Sequence, residues 1–140
     1  MKYKLISKIL LFSFIFQSIS IQSQNFNDIK KPVIFLPEIV STGEFHEFGC
    51  SFSPDGKEFY FSRTENDSGF IYKTILSGGQ WSVPVRCAFS NNRFCSEPHI
   101  SYDGNKLYFS EFVIPDDSLQ EPKVFISVVR KQNGEWEDKE

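Results

Sequence analysis

An excess of positive charge is the first thing this chain lacks: over 140 residues, 15 lysines and arginines face 18 aspartates and glutamates, a formal net charge of −3. A protein that tracks a nucleic-acid backbone normally carries a basic patch, so this balance argues against a nucleic-acid partner. Histidine is scarce too. His46 and His99 each lie near a glutamate, but they are scattered over separate segments and make a weak constellation for a metal or for acid–base work. The three cysteines, Cys50, Cys87 and Cys95, show no Cys-x-x-Cys and no Cys/His spacing of a metal site. No Gly-x-Ser-x-Gly elbow, P-loop or His-Glu-x-x-His occurs, so none of the chemistries those motifs serve is signalled. No cofactor and no metal are therefore expected.

Long apolar runs are also missing, apart from one near the N-terminus. Lys2, Lys4 and Lys8 precede an apolar stretch over residues 9–16, and small and polar residues follow over 18–24. That order is an export signal with cleavage between Ser20 and Gln24. The apolar stretch falls short of the roughly 20 residues a membrane span needs, which leaves an uncleaved anchor as the alternative. No cysteine follows it for lipid attachment. The expected location is periplasmic or secreted, with membrane contact only through the leader before cleavage. Residues 1–24 are thus the signal peptide and 25–31 a mobile spacer.

Export bears on the cysteines. Three is an odd number, so at most one internal disulfide can form. Cys87 and Cys95 bracket a loop and could close it; Cys50 and Cys95 could bridge neighbouring segments; or all three could be small apolar residues with no bond.

What the chain has in quantity is phenylalanine, 16 residues, and a repeat. Residues 50–62, CSFSPDGKEFYFS, return in altered form as residues 98–110, PHISYDGNKLYFS. Each copy is an alternating segment, an Asp-Gly turn and a second alternating segment. Alternation of period two predicts half-buried strands, and Asp55-Gly56 and Asp103-Gly104 predict two-residue hairpins between them. A polar loop is expected over 64–69, a third strand over 70–76, and a fourth over 80–88 that carries Trp81 and is broken by Pro84. In the second copy the third strand covers 124–130 after a loop over 114–122, and Glu135-Trp136 opens a fourth. Gly-Gln-Trp81 and Gly-Glu-Trp136 show that the match spans a whole unit. Upstream, residues 32–41 resemble 84–90 and read as an orphan outer strand. A repeat at this spacing implies stacked units that bury one another's faces.

The run Ser-Phe-Ser-Pro-Asp-Gly-Lys-Glu-Phe-Tyr-Phe, then Ile-Tyr and Gly-Gln-Trp, resembles the WD40-like β-propeller repeat of TolB-type exported bacterial proteins, over residues 32–136. It departs from that pattern at Cys50, Tyr102 and Asn105. The resemblance implies an all-β fold of four-stranded antiparallel blades around a channel. It divides the chain into an outer strand (32–41), a blade (46–90), an incomplete blade (95–136) and a cut or polar tail (137–140). Two blades do not close a ring, so the expectation is an incomplete one, the front part of a longer protein.

In such a unit the loop into the first strand and the loop between strands two and three share one end. That end collects His46, Glu47, Arg63, Glu65, Asp67, Arg93, Glu97 and Glu111. Arg63 and Arg93 could hold a carboxylate or sugar hydroxyls through forked donors; a solvated rim of local ion pairs is the competing reading. Asp55 and Asp103 read as turn residues rather than a catalytic pair, and the tryptophans as packing. The function that follows is an exported, non-catalytic module binding an envelope protein or a carbohydrate. The alternative is the propeller portion of an exported hydrolase, a peptidase or a carbohydrate-active enzyme.

Overall fold

A computed structural model of the chain describes residues 31–91, 94–113, 115 and 121–137. The expected leader, nearly all of the spacer, Arg93, most of the 114–122 loop and residues 138–140 lie outside the described residues.

Among the described residues nine strands follow one another: β1 (His46–Phe52), β2 (Glu58–Glu65), β3 (Ser68–Ser77), β4 (Gln80–Trp81), β5 (Val85–Arg86), β6 (Phe94–Ile100), β7 (Lys106–Val113), β8 (Lys123–Gln132) and β9 (Glu135–Trp136). The first sheet runs β1-β2-β3-β4, with β5 also paired to β3, and the second runs β6-β7-β8-β9. Every pairing between these strands is antiparallel, so the expected all-β class holds. Among the described residues the one helical segment is a 3₁₀ turn at Ala88–Ser90, and no helix is long and apolar enough to cross a membrane. Pro84 separates β4 from β5, as a residue without an N–H must interrupt a ladder.

The hairpins differ from expectation in an instructive way. The Asp-Gly turns are not two-residue turns. Ser53 N–H donates to Glu58 O at 2.8 Å and Gly56 N–H to Ser53 O at 2.9 Å, and of the Asp55-Gly56 pair only Gly56 is left-handed, at φ 70°. Asp55 accepts from Ser53 Oγ at 2.6 Å and Lys57 N–H at 3.1 Å, closing the turn with its side chain. Asp103 repeats this with Ser101 Oγ at 2.5 Å and Asn105 N–H at 3.0 Å. The two-residue turn sits instead where a polar loop was expected. Glu65 pairs with Ser68, leaving only Asn66 and Asp67 between them, at φ 48° and 61°. Both left-handed angles define the turn whose twist matches paired strands.

Hydrogen bonds from Ser53 first, then Lys57 N–H, hold the Asp55 carboxyl below its ordinary 3.8, and Ser101 and Asn105 do the same for Asp103. A lowered folded-state value means the turns are fully stabilised above about pH 4 and lose that support as pH falls through the lowered value. Asp55→Asn with Asp103→Asn is therefore expected to lower the melting temperature at neutral pH and to flatten its fall between about pH 5 and 2. Melting curves across that range check both.

Residues 32–41 form no outer strand. Val33 and Ile34 are exposed and belong to no strand, and the chain then turns. Leu36 and Glu38 are left-handed, and Leu36 O gathers the N–H groups of Ile39, Val40 and Ser41 at 3.2, 2.9 and 3.2 Å. Alternation in the sequence reports burial, and here the burial comes from a turn lying on a sheet. Leu36 and Val40 cover Phe59, Phe61 and Tyr72, with Phe35 and Trp81 packed alongside.

That contact defines the front face of the first sheet. The back face, carrying Tyr60, Ser62 and Ile71, packs on the front face of the second sheet, carrying Cys95, Ile100, Leu107, Phe109 and Val129. The connector residues Cys87 and Phe89 fill the same layer, with Trp136 at its margin. The sheets therefore stack front to back, in one sense.

Polar links lock the junction: Glu97 N–H donates to Ser62 Oγ at 2.7 Å, Ile100 N–H to Ser51 Oγ at 3.1 Å, Trp136 Nε1 to Tyr60 OH at 2.9 Å, and Lys131 Nζ to Glu58 at 2.7 Å. Bulges in β1 and β6 bring Gly49 and Glu97, both left-handed, against each other. A Cβ on Gly49 would lie 2.9 Å from the Glu97 Cα, so glycine is what allows this approach.

No disulfide forms among the described residues: of the alternatives the sequence leaves open, three unbonded cysteines is the one observed. Cys87 and Cys95 serve as small apolar filler in the junction, while Cys50 lies exposed on β1. Burial pushes the Cys87 thiol up to about 12, which keeps it out of its reactive thiolate form. In native protein Cys50 is expected to react first with a thiol reagent at neutral pH, and Cys87 and Cys95 only on unfolding. Counting labelled thiols with and without denaturant checks this.

Candidate functional site

Strand order places the entrance to β1 and the β2–β3 turn at one end of the first sheet, because His46 pairs with Thr64 and Glu65 with Ser68. His46, Glu47, Arg63, Glu65 and Asp67 do share that end. The structure links the ion-pairing residues to one another.

Arg63 is buried. Its Nη2 pairs with Glu47 Oε1 at 3.2 Å and reaches Val40 O and Ile39 O at 3.4 and 3.5 Å. The guanidinium carbon sits 4.8 Å from the Phe45 ring centre, 4.9 Å from Tyr72 and 5.3 Å from Phe61. An arginine prefers such aromatic walls because its flat cation is weakly hydrated. Its Nε is buried with no hydrogen-bond partner among the described residues. Thr42 Oγ1 donates to Glu47 at 3.0 Å from the other side. Arg63 therefore fastens the 35–42 segment to the sheet rather than offering a fork to a ligand.

Beside it, Arg86 from β5 pairs with Glu65 and lies 3.7 Å over Phe70. Tyr72 OH donates to Glu65 at 2.5 Å and accepts from Arg86 Nε at 3.4 Å. Burial pushes the Glu65 carboxyl up, but the bonds from Tyr72 and Arg86 outweigh it and hold it below its ordinary value. Burial, then the Glu65 carboxylate, raises the Tyr72 hydroxyl. Nothing in the sequence singled out Arg86 or Tyr72; only the register, Tyr72 opposite Arg86, joins them.

The remaining candidates lie on the second sheet. Glu97 occupies the β6 bulge and accepts from Ser110 Oγ at 3.0 Å. Glu111 is fully buried on β7 and accepts from Ser127 Oγ at 2.5 Å. Glu111 and Arg63 stand at equivalent repeat positions but on different layers, so the repeat does not gather them into one site. His46 is exposed beside Glu47, and His99 is exposed on the far face of the second sheet. Arg93 lies outside the described residues. Among the described residues no group of three or more His, Cys, Asp or Glu could hold a metal ion. A shallow depression of about 750 Å³ at the entrance is lined by Pro37, Thr42, Phe45, His46 and Glu47 among others.

No protein-family model matches the chain, and neither the curated proteins nor the solved structures give a match.

Proposed function

We propose that this chain is part of an exported β-propeller of the WD40-like, TolB type, acting as a non-catalytic binding module for a protein or carbohydrate ligand in the cell envelope. The observation that carries the reading is the front-to-back stacking of two antiparallel sheets whose β1-β2-β3-β4 and β6-β7-β8-β9 orders repeat one another, with β5 added to the first. Such stacking builds a rigid platform whose rim can vary without disturbing the core. The rim carboxylates Glu47, Glu65 and Glu97 are each held by a fixed donor. Groups oriented in this way suit recognition of hydroxyls and amides.

The test has two arms. In a bacterial host the mature chain is expected outside the cytoplasm, with a mass that begins between Ser20 and Gln24. Purified mature protein is then mixed with isolated peptidoglycan sacculi, and in parallel photo-crosslinked in intact cells from a probe on exposed Cys50. Retention on sacculi, or one discrete crosslinked envelope protein, with loss on His46→Ala/Glu97→Gln, supports the reading. A chain retained whole in the cytoplasm, or neither contact, overturns it.

A further inference from the structure

We propose that Asn133 is a site of self-modification: its carboxamide closes on the Gly134 nitrogen, and the isoaspartyl product undocks Trp136 and uncovers the Cys87 thiol. Among the described residues three hairpins turn on two residues, Asn66-Asp67, Gly78-Gly79 and Asn133-Gly134. Only the third sets a carboxamide before a glycine. Gly78 has no side chain to close, and at Asn66 the attacking nitrogen belongs to Asp67, whose own side chain crowds it. Asn133 and Gly134 are exposed and left-handed, at φ 51° and 86°, and a Cβ on Gly134 would meet nothing within 4 Å. Nothing packed against this turn shields it among the described residues.

The chemistry needs only water. The Gly134 nitrogen attacks Asn133 Cγ, the bond from that carbon to the side-chain nitrogen breaks, and the nitrogen leaves as ammonia with the Gly134 proton. Water then opens the cyclic imide at either carbonyl, giving aspartate or isoaspartate. In isoaspartate the main chain runs through the side-chain carbons and is one methylene longer. Access to the attacking geometry comes from fraying. β9 is held to β8 by the pairs Lys131↔Trp136 and Gln132↔Glu135 and by Glu137 N–H, which donates to Arg130 O at 2.9 Å. A pairing this short opens locally while the larger ladders stay closed.

The lengthened turn acts through Trp136. Its Nε1 donates to Tyr60 OH at 2.9 Å, its ring meets Phe89 edge-on at 6.5 Å, and Lys131 Nζ lies 5.0 Å from the ring centre. Turn length sets hairpin register, and a two-residue turn has no slack to absorb an added methylene. Trp136 is therefore pulled out of line with Lys131 and away from Tyr60. Glu135 and Trp136 also wall a cavity of about 240 Å³ whose lining includes Cys87 and Phe89. Cys87 is only 7% exposed with Trp136 in place. Once Trp136 moves, that cavity opens and the thiol behind it meets solvent.

The full chain is held in mildly alkaline buffer, and digests are sampled for the mass difference between amide and acid. The segment carrying Asn133 is expected to convert before any other, roughly tenfold more slowly in native protein than in urea-unfolded chain, since β9 must open first. The isoaspartyl fraction, resolved by chromatography, is expected to label at Cys87 roughly tenfold faster than untreated protein. Asn133→Asp supplies the new charge at the original chain length and is expected to keep Cys87 masked. Asn133→Gly retains a left-handed turn without a carboxamide and is expected to gain no acid at this segment. Native protein that keeps this amide while the unfolded chain loses it overturns the proposal. So does an isoaspartyl fraction whose Cys87 stays masked, or an Asn133→Asp variant that labels as fast as that fraction.

Discussion

Arg63→Leu is expected to destabilise the fold by about 3–5 kcal/mol, the cost of leaving one partner of a buried ion pair without the other. Glu47, whose side chain is only 12% exposed, would be left with Thr42 as its remaining donor. The carbonyls of Ile39 and Val40 would lose their donor, and Phe45, Phe61 and Tyr72 the cation between them. Urea denaturation measures the loss as a lower midpoint. Arg63→Leu combined with Glu47→Leu is expected to recover a substantial part of it, since removing both charges removes the desolvation penalty. A double variant no better than the single one would show that the aromatic box and the 35–42 anchor, rather than charge, carry the effect.

The second large effect lies in the junction. Phe109 is 2% exposed, 5.3 Å from the Phe89 ring centre, in a layer drawn from both sheets. Phe109→Ala is expected to cost about 3–5 kcal/mol through lost burial and the cavity left behind. The melting temperature should fall by roughly 10 °C or more. Because Tyr60 and Ile71 belong to the same layer, the first sheet should melt together with the second, in one transition. Two separated transitions would mean that the sheets are stable independently.

Much of this architecture is legible in the sequence, and the misreadings have physical causes. The strands flanking Asp55-Gly56 and Asp103-Gly104 follow from alternation, since period two is a direct trace of a sheet with two unlike faces. Residues 64–69 look like a loop because they are polar, yet ladder bonds are made by the backbone, and Asn66 and Asp67 tolerate the left-handed turn. Residues 32–41 look like a strand because they are apolar, yet an extended segment needs a neighbouring edge. Those residues find a sheet face instead. The bulge at Glu97 has no signal, for it puts a non-glycine residue at a positive φ of 55°. At the candidate site, Glu47 and Arg63 were selected by strand order and do meet, but which charges are sealed depends on the turn above them. The sequence leaves the cysteine pairing open, because spacing along a chain does not fix how closely two sulfurs approach; Cys87 and Cys95 share the junction layer without bonding.

The narrow hairpins carry a consequence for the order of folding. Between β2 and β3, β3 and β4, and β8 and β9, each turn spans two residues, so these pairs close at small entropic cost and form early. The bond from Trp136 to Tyr60 joins residues 76 apart, and that from Lys131 to Glu58 joins residues 73 apart. Contacts so distant along the chain form late and set the overall rate. Until they form, both the back of the first sheet and the front of the second stand open. A nascent chain thus passes through a stage in which it is adhesive on both sides, and dilution or a chaperone at that stage governs whether sheets pair within one molecule or between two.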